Sequence, residues 1–208
     1  MRSKMDPNFE GRCRACYLRA EFCGCGFVIP IPTRTRFVVV RHAHEAFKST
    51  NSVRWAQLAL PNLEIHSYET RLNLTPDFVE TEGAWLLYPG AEQAALPKSP
   101  PERLIVLDGT WRQVRRMYRA LPHLHALPRL SLTDGVREVA RLRFRARLEQ
   151  LSTLEAMADA LERIEGEATA APLRTLYARM VEGTQRGRGR ALNSAGQGFP
   201  APRGPVSP

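Results

Sequence analysis

The chain has 208 residues, 43% of them hydrophobic and 25% charged, and carries a formal net charge of +9 with a pI near 10.0. That length suits one domain with an ordinary core, and the basic balance points to an acidic partner, nucleic acid first. No apolar run reaches the roughly 18 residues of a spanning helix, and the opening MRSKMDPNFEGRC lacks the apolar stretch of a secretory signal, so a cytoplasmic protein without a membrane partner is expected.

The first feature along the chain is C-x2-C-x6-C-x-C, formed by Cys13, Cys16, Cys23 and Cys25, which are all its cysteines. In a reducing compartment such a cluster reads as metal ligands rather than disulfides. Soft thiolates suit zinc or an iron–sulfur centre, and the tight spacing favours a closed, structural zinc. Buried thiols without a metal are the plainer alternative.

Residues 36–41 (RFVVVR) are the short β-branched run of a buried strand. Residues 44–60 read as a helix closed by Pro61. Strands are expected at 63–68, 84–88 and 103–107, and a helix at 110–121 ending at Pro122. A short strand at 130–132, an alternating strand at 141–148 and helices at 152–165 and 173–182 complete the order. Short apolar strands alternating with helices predict an α/β fold with a mainly parallel sheet covered on both faces. From Gly183 the chain holds four arginines, no acid and little to bury, the composition of a disordered tail. The expected division is therefore a cysteine-bearing segment at 1–35, an α/β body at 36–182 and an Arg/Gly/Pro-rich tail at 183–208.

Two arginine rows stand out. Arg112, Arg115, Arg116 and Arg119 share one face of the helix at 110–121, with Trp111, Val114, Met117, Tyr118 and Leu121 along much of the other. In RLRFRARL, Arg141, Arg143, Arg145 and Arg147 share one side of the strand. A solvated charged face usually mixes signs, whereas acid-poor rows are what a phosphate backbone needs. Carboxylates supplied by other parts of the fold are the alternative.

At the carboxyl end of the best strand stands LDGTW, residues 107–111. Ligands of open α/β sheets bind at such ends. The alternative is structural, with Asp108 or Thr110 capping the next helix and Trp111 packed beneath it. His42, His44 and Glu45 lie together, but their spacing fits no common metal site.

LDGTW-x-Q-x-x-x-M, residues 107–117, resembles the signature of the DTW-domain family. HAHEAFKSTNS (42–52), LLYPG (86–90), LSTLEA (151–156) and the cysteine cluster agree with the same family in the same order, over about residues 12–180. The resemblance implies a SPOUT-like α/β domain with a C-terminal trefoil knot and a small N-terminal zinc knuckle. It implies a tRNA-uridine aminocarboxypropyltransferase that uses S-adenosylmethionine to place a 3-amino-3-carboxypropyl group on N3 of a variable-loop uridine in tRNA. No obligate protein partner is implied.

By the same resemblance the reaction falls to Asp108, Thr110 and Trp111. Asp108 is a base for the N3 proton or a group that orients uracil. The donor pocket falls to Leu87, Tyr88, Pro89, Gly90 and Leu107, with Leu151, Ser152 and Thr153 at the last turn. In SPOUT knots backbone amides there hold the adenine. Ser152 and Glu155 also have the spacing of a helix capping box. RNA contacts are expected from Lys48, Asn51, Arg112, Arg115, Arg116, Arg119, Arg143 and Arg145. Two rival readings are a SPOUT-type RNA methyltransferase or rRNA aminocarboxypropyltransferase, and a non-catalytic zinc RNA-binding module.

Overall fold

Alternating β-branched and aliphatic side chains make β1 (Arg36–His42) a strand buried on both faces, with Phe37 and Val39 on one side and Val38 and Val40 on the other. The same division runs through β4 (Arg103–Asp108), where Leu104 and Val106 oppose Ile105 and Leu107. The computed structural model describes residues 11–69, 81–89, 100–132 and 151–188. Within them, β1, β2 (Glu64–Tyr68), β3 (Ala84–Leu87), β4 and β5 (Arg129–Leu130) form one parallel sheet in the order β2-β1-β4-β3-β5.

Helices cover both faces. On one lie α1 (Ser52–Ala59), α3 (Thr153–Glu165) and α4 (Glu167–Arg186), packed with the cysteine segment around Phe37, Val39, Trp55, Leu104 and Val106. On the other, α2 (Trp111–Ala120) buries Val114, Met117 and Leu121 against Val38, Val40, Ile105 and Leu107. Arg174 of α4 bridges to Asp159 and Glu162 of α3, tying the two helices together. Glu165, at the end of α3, accepts from the backbone N–H groups of Arg34 and Thr35 at the entry to β1.

The expected α/β class and parallel sheet are therefore present. The strand expected at 141–148, with its Arg143 and Arg145, lies outside the described residues. The expected helix at 44–60 divides in two. A 3₁₀ turn at Ala43–Glu45 comes first, and α1 begins only where the Asn51 side chain accepts from the backbone N–H of Arg54. The last helix is longer than its Leu-rich core suggested. It starts six residues earlier, after Gly166 turns the chain at φ 95°, and continues through Pro172 to Arg186. Gly183 and Thr184 are buried, so the packed body extends past the expected boundary at 182. None of the described helices is long and apolar enough to cross a membrane.

Candidate active site and metal centre

β1 and β4 are neighbours in the sheet, yet the chain leaves β1 toward the α1 face and leaves β4 toward the α2 face. Divergent connections open a crevice outside the carboxyl ends of two adjacent parallel strands, where ligands of open α/β sheets bind. Arg41 and Asp108 are register partners at that point.

Asp108 is the last residue of β4 and only 5% exposed. Its Oδ2 accepts from Asn51 Nδ2 at 2.7 Å, and its Oδ1 accepts from Thr153 Oγ1 at 2.6 Å. Asn51 caps α1 and Thr153 opens α3, so two helix N-termini converge on one carboxylate. Ser52 Oγ, which accepts from the backbone N–H of Leu154 at 3.3 Å, locks those two helix starts together. Burial pushes the Asp108 carboxyl above the usual carboxylate range, against the hydrogen bonds from Thr153 and Asn51, which favour its charge. Glu45 adds to the upward push and Arg41 opposes it.

Next to Asp108 the chain reverses into α2. Thr110 caps that helix, its Oγ1 accepting from the backbone N–H of Gln113 at 3.3 Å while Gln113 Oε1 accepts from the Thr110 N–H at 2.6 Å. Gln113 Nε2 also lies 3.4 Å from His42 Nδ1, joining the end of β1 to the start of α2. His42 accepts from the His44 N–H at the same nitrogen, so Gln113 donates there. Burial lowers the His42 pKa and favours the neutral ring. Trp111 is 38% exposed and does not fill the core beneath α2. Of the three motif side chains, Asp108 accepts one hydrogen bond at each oxygen, Thr110 caps α2 and Trp111 is exposed.

The other expected site residues take up a range of positions around the crevice and the core. Asn51, expected on the RNA surface, is 3% exposed and holds Asp108. Lys48, also expected there, pairs with the buried carboxylate of Glu45. Leu87 and Leu107 turn their side chains into the two halves of the core. The backbone N–H of Tyr88 already bonds Leu130 O at 3.2 Å, and that of Ser152 bonds Glu155 Oε2 at 2.8 Å. Neither amide is free for an adenine. Ser152 and Glu155 form the capping box that their spacing suggested. Leu151 lies beside it half-buried, Pro89 closes the described part of the β3 exit, and Gly90 lies outside the described residues.

Arg112, Arg115, Arg116 and Arg119 are all exposed on α2, and among the described residues none meets a carboxylate. Beside them Tyr88 stacks on Tyr118 with centroids 4.4 Å apart, and Tyr118 meets His125 at 4.3 Å. No local pattern marks that aromatic row, because its members come from three separate parts of the chain.

The four cysteines converge, with all four sulfurs within 4.8 Å of one another. Cys13 and Cys25 Sγ are 3.7 Å apart, and Cys16 and Cys23 Sγ are 3.8 Å apart. A tetrahedron with Zn–S bonds of about 2.3 Å has edges of about 3.8 Å, so the residues fit a four-thiolate zinc. The thiols do not ionise together unaided. Hydrogen bonding to Cys25 draws Cys16 down to about 5, while burial pushes Cys23 up to about 11 and the Cys16 contact drives Cys25 higher. A dication removes that conflict. The knuckle is also docked. Trp55 Nε1 donates to Cys16 O at 3.1 Å, and Gly183 of α4 passes so close that a Cβ there would meet Phe22 O at 2.6 Å.

A family model, the DTW domain, matches residues 10–185. The chain belongs to the DTW domain family. This DTW-domain chain is 26% identical over 196 residues to a Drosophila melanogaster protein named tRNA-uridine aminocarboxypropyltransferase 2, covering 82% of this chain and 75% of the relative. It is also 26% identical over 167 residues to a Macaca fascicularis protein of the same name, covering 74% of this chain and 56% of that relative. The DTW chain thus spans little more than half the length of the macaque protein. No solved structure matches it significantly.

Proposed function

We propose that this DTW-domain protein is a tRNA-uridine aminocarboxypropyltransferase. It moves the 3-amino-3-carboxypropyl group of S-adenosylmethionine to N3 of a variable-loop uridine and releases methylthioadenosine. The observation that carries the reading is the buried Asp108 carboxylate at the β1/β4 crevice, held between two helix N-termini inside the family's own motif. The names of the fly and macaque relatives support the substrate class.

The donor's sulfonium activates the carbon that is transferred, so the protein's task is to align two reactants and take one proton. The new bond joins N3 to that carbon, the carbon–sulfur bond breaks with its electron pair on sulfur, and the N3 proton leaves. Asp108 receives or orients that proton. Each carboxylate oxygen has two lone pairs, so one remains on each after the bonds from Asn51 and Thr153. Burial makes it a stronger base than an exposed aspartate, and the two donors fix its aim. Neutral His42 and the Gln113 bridge hold the opposite wall. Zinc, where the cysteines would hold it, supplies structure rather than chemistry, since four thiolates leave no open position. The exposed α2 arginines supply the tRNA surface, and the cytoplasm is the compartment that suits both substrate and thiols.

Transfer is tested with S-adenosylmethionine labelled either in the carboxyl group or in the methyl group. Carboxyl label in nucleosides of the tRNA fraction is expected. Methyl label in RNA would make the protein a methyltransferase, label in rRNA alone would change the substrate, and label in neither would leave a binding module.

A further inference from the structure

Two arginines near the crevice, Arg41 and Arg54, have no role in the proposed reaction. Arg41, the penultimate residue of β1, lies directly across the register from Asp108, and its guanidinium is half-buried on the α1 side of the sheet. Its Nε is buried without a hydrogen-bond partner, and among the described residues no carboxylate lies within ion-pairing distance of it. A cation in that state is costly unless something acidic reaches it.

Arg54, two residues into α1, is the neighbouring charge, and it disfavours the charged form of Arg41. Arg54 is itself clamped. Its guanidinium lies flat on the Tyr17 ring, 3.4 Å from the centroid, and one terminal nitrogen donates to Ala46 O. Its Nε too is buried without a partner. Tyr17 follows the ligand Cys16 and adopts φ 64°, a left-handed conformation that a non-glycine residue takes only when its surroundings impose it. The cysteine knuckle therefore presents Tyr17, Tyr17 holds Arg54, and Arg54 crowds a second cation toward the crevice. The acid that acts on Arg41 is Asp108, which makes its own hydrogen bonds to Asn51 and Thr153.

We propose that Arg41 is a carboxylate-binding residue of the crevice, taking the α-carboxylate of the aminocarboxypropyl donor, with Arg54 and Tyr17 as its positioning residues. This rests on the transferase reading above. The donor's α-carboxylate is only three bonds from the transferred carbon, so it must sit close to the reacting centre. A guanidinium beside the Asp108 strand end is well placed for it, and its planar fork matches a carboxylate. The pair also gives the knuckle a role beyond docking, since losing the metal would release Tyr17 and with it the arginine geometry.

The test compares two ligands by calorimetry on the full chain. S-Adenosylmethionine carries the carboxylate, and methylthioadenosine has the same nucleoside without it. Arg41→Gln should lose about 10–100-fold in affinity for the first and change less than about two-fold for the second. Arg41→Lys, which keeps the charge but not the fork, should fall between. Arg54→Ala should raise the donor KM more than it lowers kcat. Equal losses for both ligands would mark a structural role and overturn the proposal. Unchanged donor affinity with a tRNA salt slope reduced by about one would assign Arg41 to an RNA phosphate and overturn it as well. Wild-type protein that binds no donor would remove the transferase reading itself, a result distinct from a variant that binds as well as wild type.

Discussion

Thr153→Val replaces one hydroxyl by a methyl group at the first position of α3 and removes the 2.6 Å hydrogen bond to Asp108 Oδ1. A hydrogen bond to a charged group is worth about 1.5–3 kcal/mol, and a pH unit corresponds to about 1.4 kcal/mol, so Asp108 should ionise about one to two units higher in the variant. If its ionised form drives transfer, the acidic limb of the kcat/KM profile moves up by the same amount, read with carboxyl-labelled donor and saturating tRNA. Stability provides an independent reading. Burial already raises Asp108 above its unfolded value, so its contribution is fully present below that value and is lost as pH rises through the folded one. The variant widens the gap. Chemical denaturation should therefore show a loss of about 1.5–3 kcal/mol near pH 8 and a much smaller one near pH 4. An unmoved acidic limb alongside that stability signature would refute the role of Asp108 ionisation in transfer. Absence of the signature would refute the contact.

Three further outcomes are expected. Purified protein should carry about one zinc per chain, and Cys16→Ser should lose it and melt about 5–10 °C lower, as checked by metal analysis and calorimetry. Gly183→Ala should lower the melting temperature by about 3–10 °C, because the added Cβ meets backbone rather than a movable side chain. Arg115→Ala should reduce the salt slope of tRNA binding by up to about one while leaving donor affinity unchanged, measured by filter binding across a salt series.

The parts of this protein that were legible in its sequence are the local ones. β1 and β4 announce themselves by runs of β-branched and aliphatic residues, α2 by its two faces, and the start of α3 by Ser152 with Glu155 three positions on. The cysteine cluster is equally local, with four ligands inside a single short segment. The Asn51–Asp108–Thr153 arrangement was not legible, because its members lie on three elements that only the sheet order brings together. Asn51 carried a local signal, the cap of a helix, and that signal was obscured by the helix-like residues before it. Arg41 read as the polar end of a strand, and nothing in its own neighbourhood could show that Arg54 and Tyr17 would face it. α4 opens at Glu167, six residues before the helix expected at 173–182, and runs through Pro172, so its first turns carried no signal in that expectation.

The knuckle closes within about fifteen residues, whereas the helix it leans on is made some 150 residues later. On a growing chain the cysteines can be complete, and can capture their metal, long before α4 exists to cover them. The central β1–β4 pairing must also wait, for the 60 residues between His42 and Arg103. The knuckle is thus an early piece that gains its covering helix only once α4 has been made. Arg54 can reach Tyr17 as soon as α1 is made, but the seat of both is fixed only when Gly183 slides under Phe22. A chain cut short in α4 would keep every residue of the crevice and still present it on a loose wall.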